Sequence, residues 1–167
     1  MQKPALQDRL RHHILVLDGA MGTMIQQANL TAEDFGGEAL DGCNEMLVLT
    51  RPDVIAGIHE AYLAAGADII ETNTFGATSV VLAEYDIADK AREINLAAVR
   101  LAKEACEKFS TPEKPRYVAG SIGPTTKTLS VTGGITFDEL VASYREQATA
   151  LIEGGVDCLL VETSQDT

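Results

Sequence analysis

Four short apolar runs alternate along the chain with stretches whose apolar positions recur at helical spacing. Ile14-Leu15-Val16-Leu17 runs into Asp18-Gly19, the pattern of a buried strand meeting a tight turn. Further apolar runs predict strands at 68–73, 117–122 and 157–162, after a first at 14–18. Between them, a short helix is expected over 4–11. A longer one follows Thr50-Arg51-Pro52-Asp53, where Thr50 can cap and Pro52 fits a first turn; Val54, Ile55, Ile58 and Tyr62 then repeat until Gly66. Ile94, Ala98, Leu101 and Ala105 mark one stripe of a helix over 88–109, with a charged face opposite. Thr136 and Glu139 form a capping box, and Leu140, Val141, Tyr144, Ala148, Leu151 and Ile152 line a helix stopped by Gly154-Gly155.

Each gap between predicted strands holds a helix, so the repeating unit is βα. Ala65-Gly66-Ala67-Asp68 echoes Gly154-Gly155-Val156-Asp157: in both, a helix ends on glycine and the chain enters an apolar strand from an aspartate. A (βα)8 TIM-type barrel needs about 250 residues. Four units in 167 residues therefore predict an α/β fold that is the first half, (βα)4, of such a barrel, occupying 1–167 as a partial domain. A complete flavodoxin-like sheet is the alternative. The long loops after the first and third strands, the latter spanning 123–134 and rich in Gly, Thr and Ser, favour the barrel, whose working face is built from βα loops. A half barrel leaves its first and fourth strands as open edges, so self-association through them is expected.

Charge and composition narrow the partners. A net charge of -12 without a basic patch opposes nucleic-acid binding. The start, MQKPALQDRLRHH, lacks a signal-peptide pattern, and no apolar run approaches the ~20 residues that span a bilayer. Cys43, Cys106 and Cys158 lie far apart, without zinc-ribbon, redox-pair or disulfide spacing, which suits a reducing cytoplasm. Cys106 and Cys158 fall in predicted elements and read as small apolar groups, whereas Cys43 lies in a loop and reads as freer. His12, His13 and His59 fall away from the strand ends and read as surface or core residues.

In βα proteins, ligands meet the carboxyl ends of the strands. Those ends are Asp18, Glu71-Thr72-Asn73, Ser121 to Thr125, and Glu162-Thr163, and all are polar. Counted from the matched Asp68 and Asp157, Glu71, Asn73 and Glu162 share one strand face, with Cys158 and Leu160 beneath Glu162. A glutamate among apolar neighbours needs a cation or donors to offset desolvation; a salt bridge at the rim would serve equally. Asp18-Gly19-Ala20-Met21-Gly22-Thr23 offers backbone N–H groups that can receive a carboxylate or phosphate, but is neither a dinucleotide fingerprint nor a P-loop.

These strings, taken in order, resemble the signatures of the homocysteine S-methyltransferase family: Leu17-Asp18-Gly19-Ala20-Met21-Gly22-Thr23, Glu71-Thr72-Asn73-Thr74-Phe75, Gly120-Ser121-Ile122-Gly123-Pro124-Thr125 and Glu162-Thr163. Gly42-Cys43-Asn44-Glu45, Leu49-Thr50-Arg51-Pro52 and the loop from Gly123 to Asp138 are most similar to its cobalamin-dependent methionine synthase branch. The resemblance implies a (βα)8 barrel that binds homocysteine and activates its thiol on zinc held by three cysteines. Those cysteines lie in the second half of the family barrel, so no metal ligand and no catalytic residue is assigned among these 167. It further implies that Glu162 meets the substrate ammonium, that the backbone of Ala20, Met21, Gly22 and Thr23 meets its carboxylate, and that Asp18, Asn73 and Ser121 shape the pocket. Cobalamin and folate would act through other domains of a longer protein. A cobalamin-independent enzyme using betaine or S-methylmethionine, and a non-catalytic small binding domain, remain open.

Overall fold

A computed structural model describes residues 3–129 and 134–164; part of the expected 123–134 loop lies outside them. Three parallel strands, β1 (Ile69–Glu71), β2 (Tyr117–Ile122) and β3 (Cys158–Val161), lie side by side in chain order. Ile69 stands opposite Tyr117, and Ala119 opposite Cys158. On the free side of β1, Leu17 forms one parallel bridge to Ile69, the Asp18 N–H donates to the Ile69 carbonyl at 2.9 Å, and the Asp68 N–H donates to that of Val16 at 2.7 Å. The expected strand at 14–18 thus shrinks to a single bridging residue. It has one strand neighbour only, and its apolar run is not buried: Ile14 is 96% and Val16 57% exposed. β1 and β3 are likewise shorter than the expected 68–73 and 157–162; beyond their carboxyl ends Thr72, Asn73 and Glu162 line a cleft.

Parallel neighbours need a crossover, and helices supply it. The helices are α1 (Leu6–Leu10), α2 (Met21–Gln27), α3 (Ala32–Phe35), α4 (Leu47–Thr50), α5 (Pro52–Ala65), α6 (Ser79–Leu82), α7 (Ala91–Phe109) and α8 (Phe137–Gly154). Side chains alternate across the sheet. On one face, Ile70 and Val118 pack with Leu63 of α5 and Ala102 and Ala105 of α7, while Ile122 packs with Val99 of α7 and Leu151 of α8. Gly120 lies on the same face, and a Cβ there would sit 3.0 Å from Leu151. The register places Glu71, Ala119, Ser121, Cys158 and Leu160 on the other face.

Local chemistry sets most helix ends as the sequence suggests. α8 opens on the Thr136–Glu139 capping box, with Glu139 accepting from the Thr136 N–H at 2.8 Å. α5 and α8 end on Gly66 and Gly155, both in the left-handed region at φ 114° and 88°. The start of α5 differs. Pro52 occupies its first turn, but Arg51 stands at the cap position, its guanidinium clasping Asp53 at 2.7 Å and Asp34 at 2.5 Å; the Thr50 hydroxyl instead closes α4 by donating to the Met46 carbonyl.

Two residues read differently once packed. Cys43, expected to be freer, is 1% exposed within a core that includes Leu47 and Ile55, and burial pushes its thiol up to about 11. Helical turns on its C-terminal side fold the loop inward around it. His59 is fully buried on α5, neither ring nitrogen has a partner, and burial pushes its pKa down to about 4, so the ring is neutral.

Candidate functional site

A cavity of about 420 Å³ opens where the strands end. Asp18 reaches it from the residue after the Leu17 bridge, Glu71 from the end of β1, Ser121 from β2, and Glu162 from the residue after β3. The shared parity of Glu71, Asn73 and Glu162 predicted this meeting, and all three line the cavity. The backbone turns sharply beyond it: Thr163 takes φ 55°, a costly conformation for a β-branched residue.

Each carboxyl group is held by specific contacts. Asp18 accepts from the Glu71 backbone N–H at 3.1 and 3.2 Å, tying the first strand position to the second. The Ser121 hydroxyl donates to Glu162 Oε1, and the Glu162 N–H donates to the Ile122 carbonyl at 3.1 Å. Burial pushes Asp18 up to about 7, with the neighbouring Glu162 charge adding to the effect and backbone N–H groups opposing it. Glu71 is likewise raised, first by burial, then by its hydrogen bond with Glu162 and the charges of Glu162 and Asp18. Asp18 and Glu71, partly desolvated beside a third carboxyl group, therefore hold protons at a pH where isolated carboxylates have lost them.

Polar threads fix the floor. The Thr74 hydroxyl donates to the Ser121 carbonyl at 2.7 Å and contacts the Thr72 hydroxyl at 2.6 Å, while the Ser121 N–H donates to Thr72 Oγ1 at 3.1 Å. Gln147 of α8 reaches through to the Thr74 carbonyl at 2.7 Å. Asn73 turns its amide to the Asn44 carbonyl at 2.8 Å, and Glu45 accepts from the Gly76 N–H at 2.8 Å. These two contacts latch the 44–45 turn onto the cleft wall.

Gly19, Ala20, Met21 and Gly22 also line the cavity. No side chain caps α2 at Ala20, and its first turn carries no acidic residue. The Tyr62 hydroxyl donates to the Ala20 carbonyl at 3.2 Å, packing beneath the turn. Of the residues singled out from sequence, Asp18, Ala20, Met21, Gly22, Asn73, Ser121 and Glu162 meet around this cavity; Thr23 lies exposed on α2 and is not among its lining. Asn44, Glu45 and Phe75 join the lining without having been chosen for it, because loop residues carry no period to place them. Their one sequence signal was the family-like strings Gly42-Cys43-Asn44-Glu45 and Glu71-Thr72-Asn73-Thr74-Phe75.

Among the described residues no group of three His, Cys, Asp or Glu is placed to hold a metal ion. Cys43 and Cys106 are buried, with thiols pushed up to about 11 and about 12, and the Cys158 thiol, half-buried on β3, is raised as well. No helix among the described residues is long and apolar enough to cross a membrane.

The fold is similar to solved structures of the homocysteine methyltransferase MmuM from Escherichia coli. The metallated form superposes with a TM-score of 0.76 at 24% identity, covering 95% of this chain and 57% of that one. The oxidised form gives 0.75 at 24%, covering 94% and 56%, and the apo form 0.63 at 25%, covering 93% and 50%. The chain spans about half the length of these matched structures. The homocysteine S-methyltransferase profile matches residues 15–167, from just before the Leu17 bridge through the cleft carboxylates, and the chain belongs to that family.

Proposed function

We propose that the chain forms the (βα)4 half of a (βα)8 barrel and that its cleft grips the amino-acid end of homocysteine, whose sulfur receives a methyl group to give methionine. The carrying observation is the convergence of Asp18, Glu71 and Glu162 around Ser121. Carboxyl groups desolvated together favour a cationic guest, and an amino acid brings an ammonium. Ser121 orients Glu162 toward that ammonium, Asp18 and Asn73 set the pocket's shape, and the backbone of Ala20 to Thr23 at the uncapped start of α2 takes the substrate carboxylate. The parallel chain-order sheet and the match to half of a longer homocysteine methyltransferase support the half-barrel reading.

The sulfur chemistry is assigned elsewhere. The resemblance implies that zinc holds homocysteine as its thiolate; the three cysteines of this chain, two of them buried and none grouped with other ligands among the described residues, do not fit that metal. We place the zinc ligands, and the folate and cobalamin domains of the cobalamin-dependent reading, outside these residues. The resemblance of the 42–45 and 123–138 segments supports methylcobalamin as donor; an assay of the full-length enzyme with methylcobalamin, betaine and S-methylmethionine separates the donors. The open edges at Leu17 and β3 form the surface for the rest of the barrel or, without it, for a second copy.

Calorimetric titration of the chain with L-homocysteine tests the reading. Binding is expected, reduced by roughly tenfold or more in Glu162→Gln, and absent for the analogue lacking the amino group. Because Asp18 is held near pH 7, a bound ammonium favours its ionised form: uptake of ligand releases protons around neutrality, and affinity rises as pH passes upward through about 7. Equal binding of the deaminated analogue by the folded chain would overturn the proposal.

A further inference from the structure

At the other end of the sheet, roughly 16 Å from Ser121 along β2, a second cavity of about 500 Å³ lies between α7, the residue before β2 and the turn before β3. Arg116, Lys103 and Lys3 line it, with Asp157 and Glu107. Arg116 is 7% exposed, yet it takes part in no ion pair among the described residues. Its Nη1 donates to the Ala67 carbonyl, and its buried Nε has no partner.

The nearby acids do not supply the missing charge. Asp157 is engaged by Lys3 at 2.7 Å and also accepts from the Val118 N–H at 2.8 Å. Glu107 is exposed on α7 and pairs with neither Arg116 nor Lys103 among the described residues. Lys103 reaches the Gly154 carbonyl at 3.4 Å. Two cations without a carboxylate partner among the described residues thus line one cavity in a protein of net charge -12. A cation withdrawn from water requires counter-charge, and a guanidinium fork beside an ammonium matches a group with two or more oxygens.

We infer that this cavity is a binding site for a small oxyanion, held by Arg116 and Lys103. The shared chemistry is that of a phosphate group or a carboxylate. It lies at the amino ends of the strands, apart from the homocysteine cleft, and does not depend on how that cleft is read.

Thermal unfolding of the chain, titrated with sodium phosphate, sodium acetate or sodium chloride at matched ionic strength, tests the assignment. The midpoint is expected to rise saturably with phosphate or acetate and not with chloride, and the anion that saturates identifies the group bound. Arg116→Gln and Lys103→Gln should each weaken the apparent affinity roughly tenfold or more, whereas Lys108→Gln, on the same helix as Lys103 but paired with Glu60 of α5, should leave it unchanged. Lys103 is only half-buried, so its variant carries the test should Arg116→Gln fail to fold. The same rise with all three salts, or full affinity in Lys103→Gln, overturns the site.

Discussion

At the scale of single residues, this protein keeps several titratable groups away from their ordinary charge states, and the signs differ. Asp18 and Glu71 hold protons because burial and neighbouring carboxyl groups disfavour their charged forms, which readies the cleft for a cation. His59 is the reverse: a ring with no partner, buried beside apolar groups, loses its proton at pH values where an exposed histidine keeps it. Its folded pKa of about 4 lies below the unfolded 6.5, so the unfolded state binds more protons on acidification. Stability should fall as pH drops from about 6.5 toward 4, by on the order of 3 kcal/mol from this group. Urea unfolding across that range checks it: His59→Leu should flatten this part of the profile, and an unchanged acid slope in the variant would show that His59 is not its source. The sequence placed His59 in the surface-or-core class but could not show that both nitrogens lack partners, since that depends on what other helices bring alongside.

At the scale of elements, glycines mark where backbone and neighbour approach too closely for a side chain. Gly123 ends the β2 segment with a Cβ position 2.7 Å from the Phe75 carbonyl oxygen and ring, and its N–H donates to that carbonyl at 3.0 Å. Gly123→Ala should therefore cost about 1–3 kcal/mol and disturb the strand end that carries Ser121. Gly57 is exposed in α5 with nothing within 4 Å of its Cβ position, and Gly57→Ala should add about 0.5–1 kcal/mol. Denaturant midpoints of the two variants, measured side by side, are expected to move in opposite directions. Helix limits were legible because caps and stops act locally: Pro52, Gly66, the Thr136–Glu139 box and Gly155 all serve as read. Arg51 in place of Thr50 at the start of α5 was not, because its two carboxylate partners include Asp34, seventeen residues away and in contact only after folding.

For the whole molecule, exposed apolar residues lie at both edges of the sheet, Ile14, Val16 and Leu17 beside β1 and Leu159 and Val161 on β3. Such edges pair readily. The chain by itself is expected to self-associate through them, and Val16→Lys with Val161→Lys should shift sedimentation toward the monomer; a wild-type chain that stays monomeric at high concentration would sink the idea. The three long helices, the βα alternation around three of the four expected strands and the shared face of Glu71, Asn73 and Glu162 were set by the sequence alone, because apolar spacing, capping and strand parity are properties of neighbouring residues. Tertiary structure alone decided that the first strand is one exposed bridge, that Cys43 is core, that Asn44 and Glu45 close the cleft wall, and that Arg116 is buried with no ion-pair partner among the described residues. Each of these depends on which distant segments share a boundary with the residue, and on how much water that contact removes.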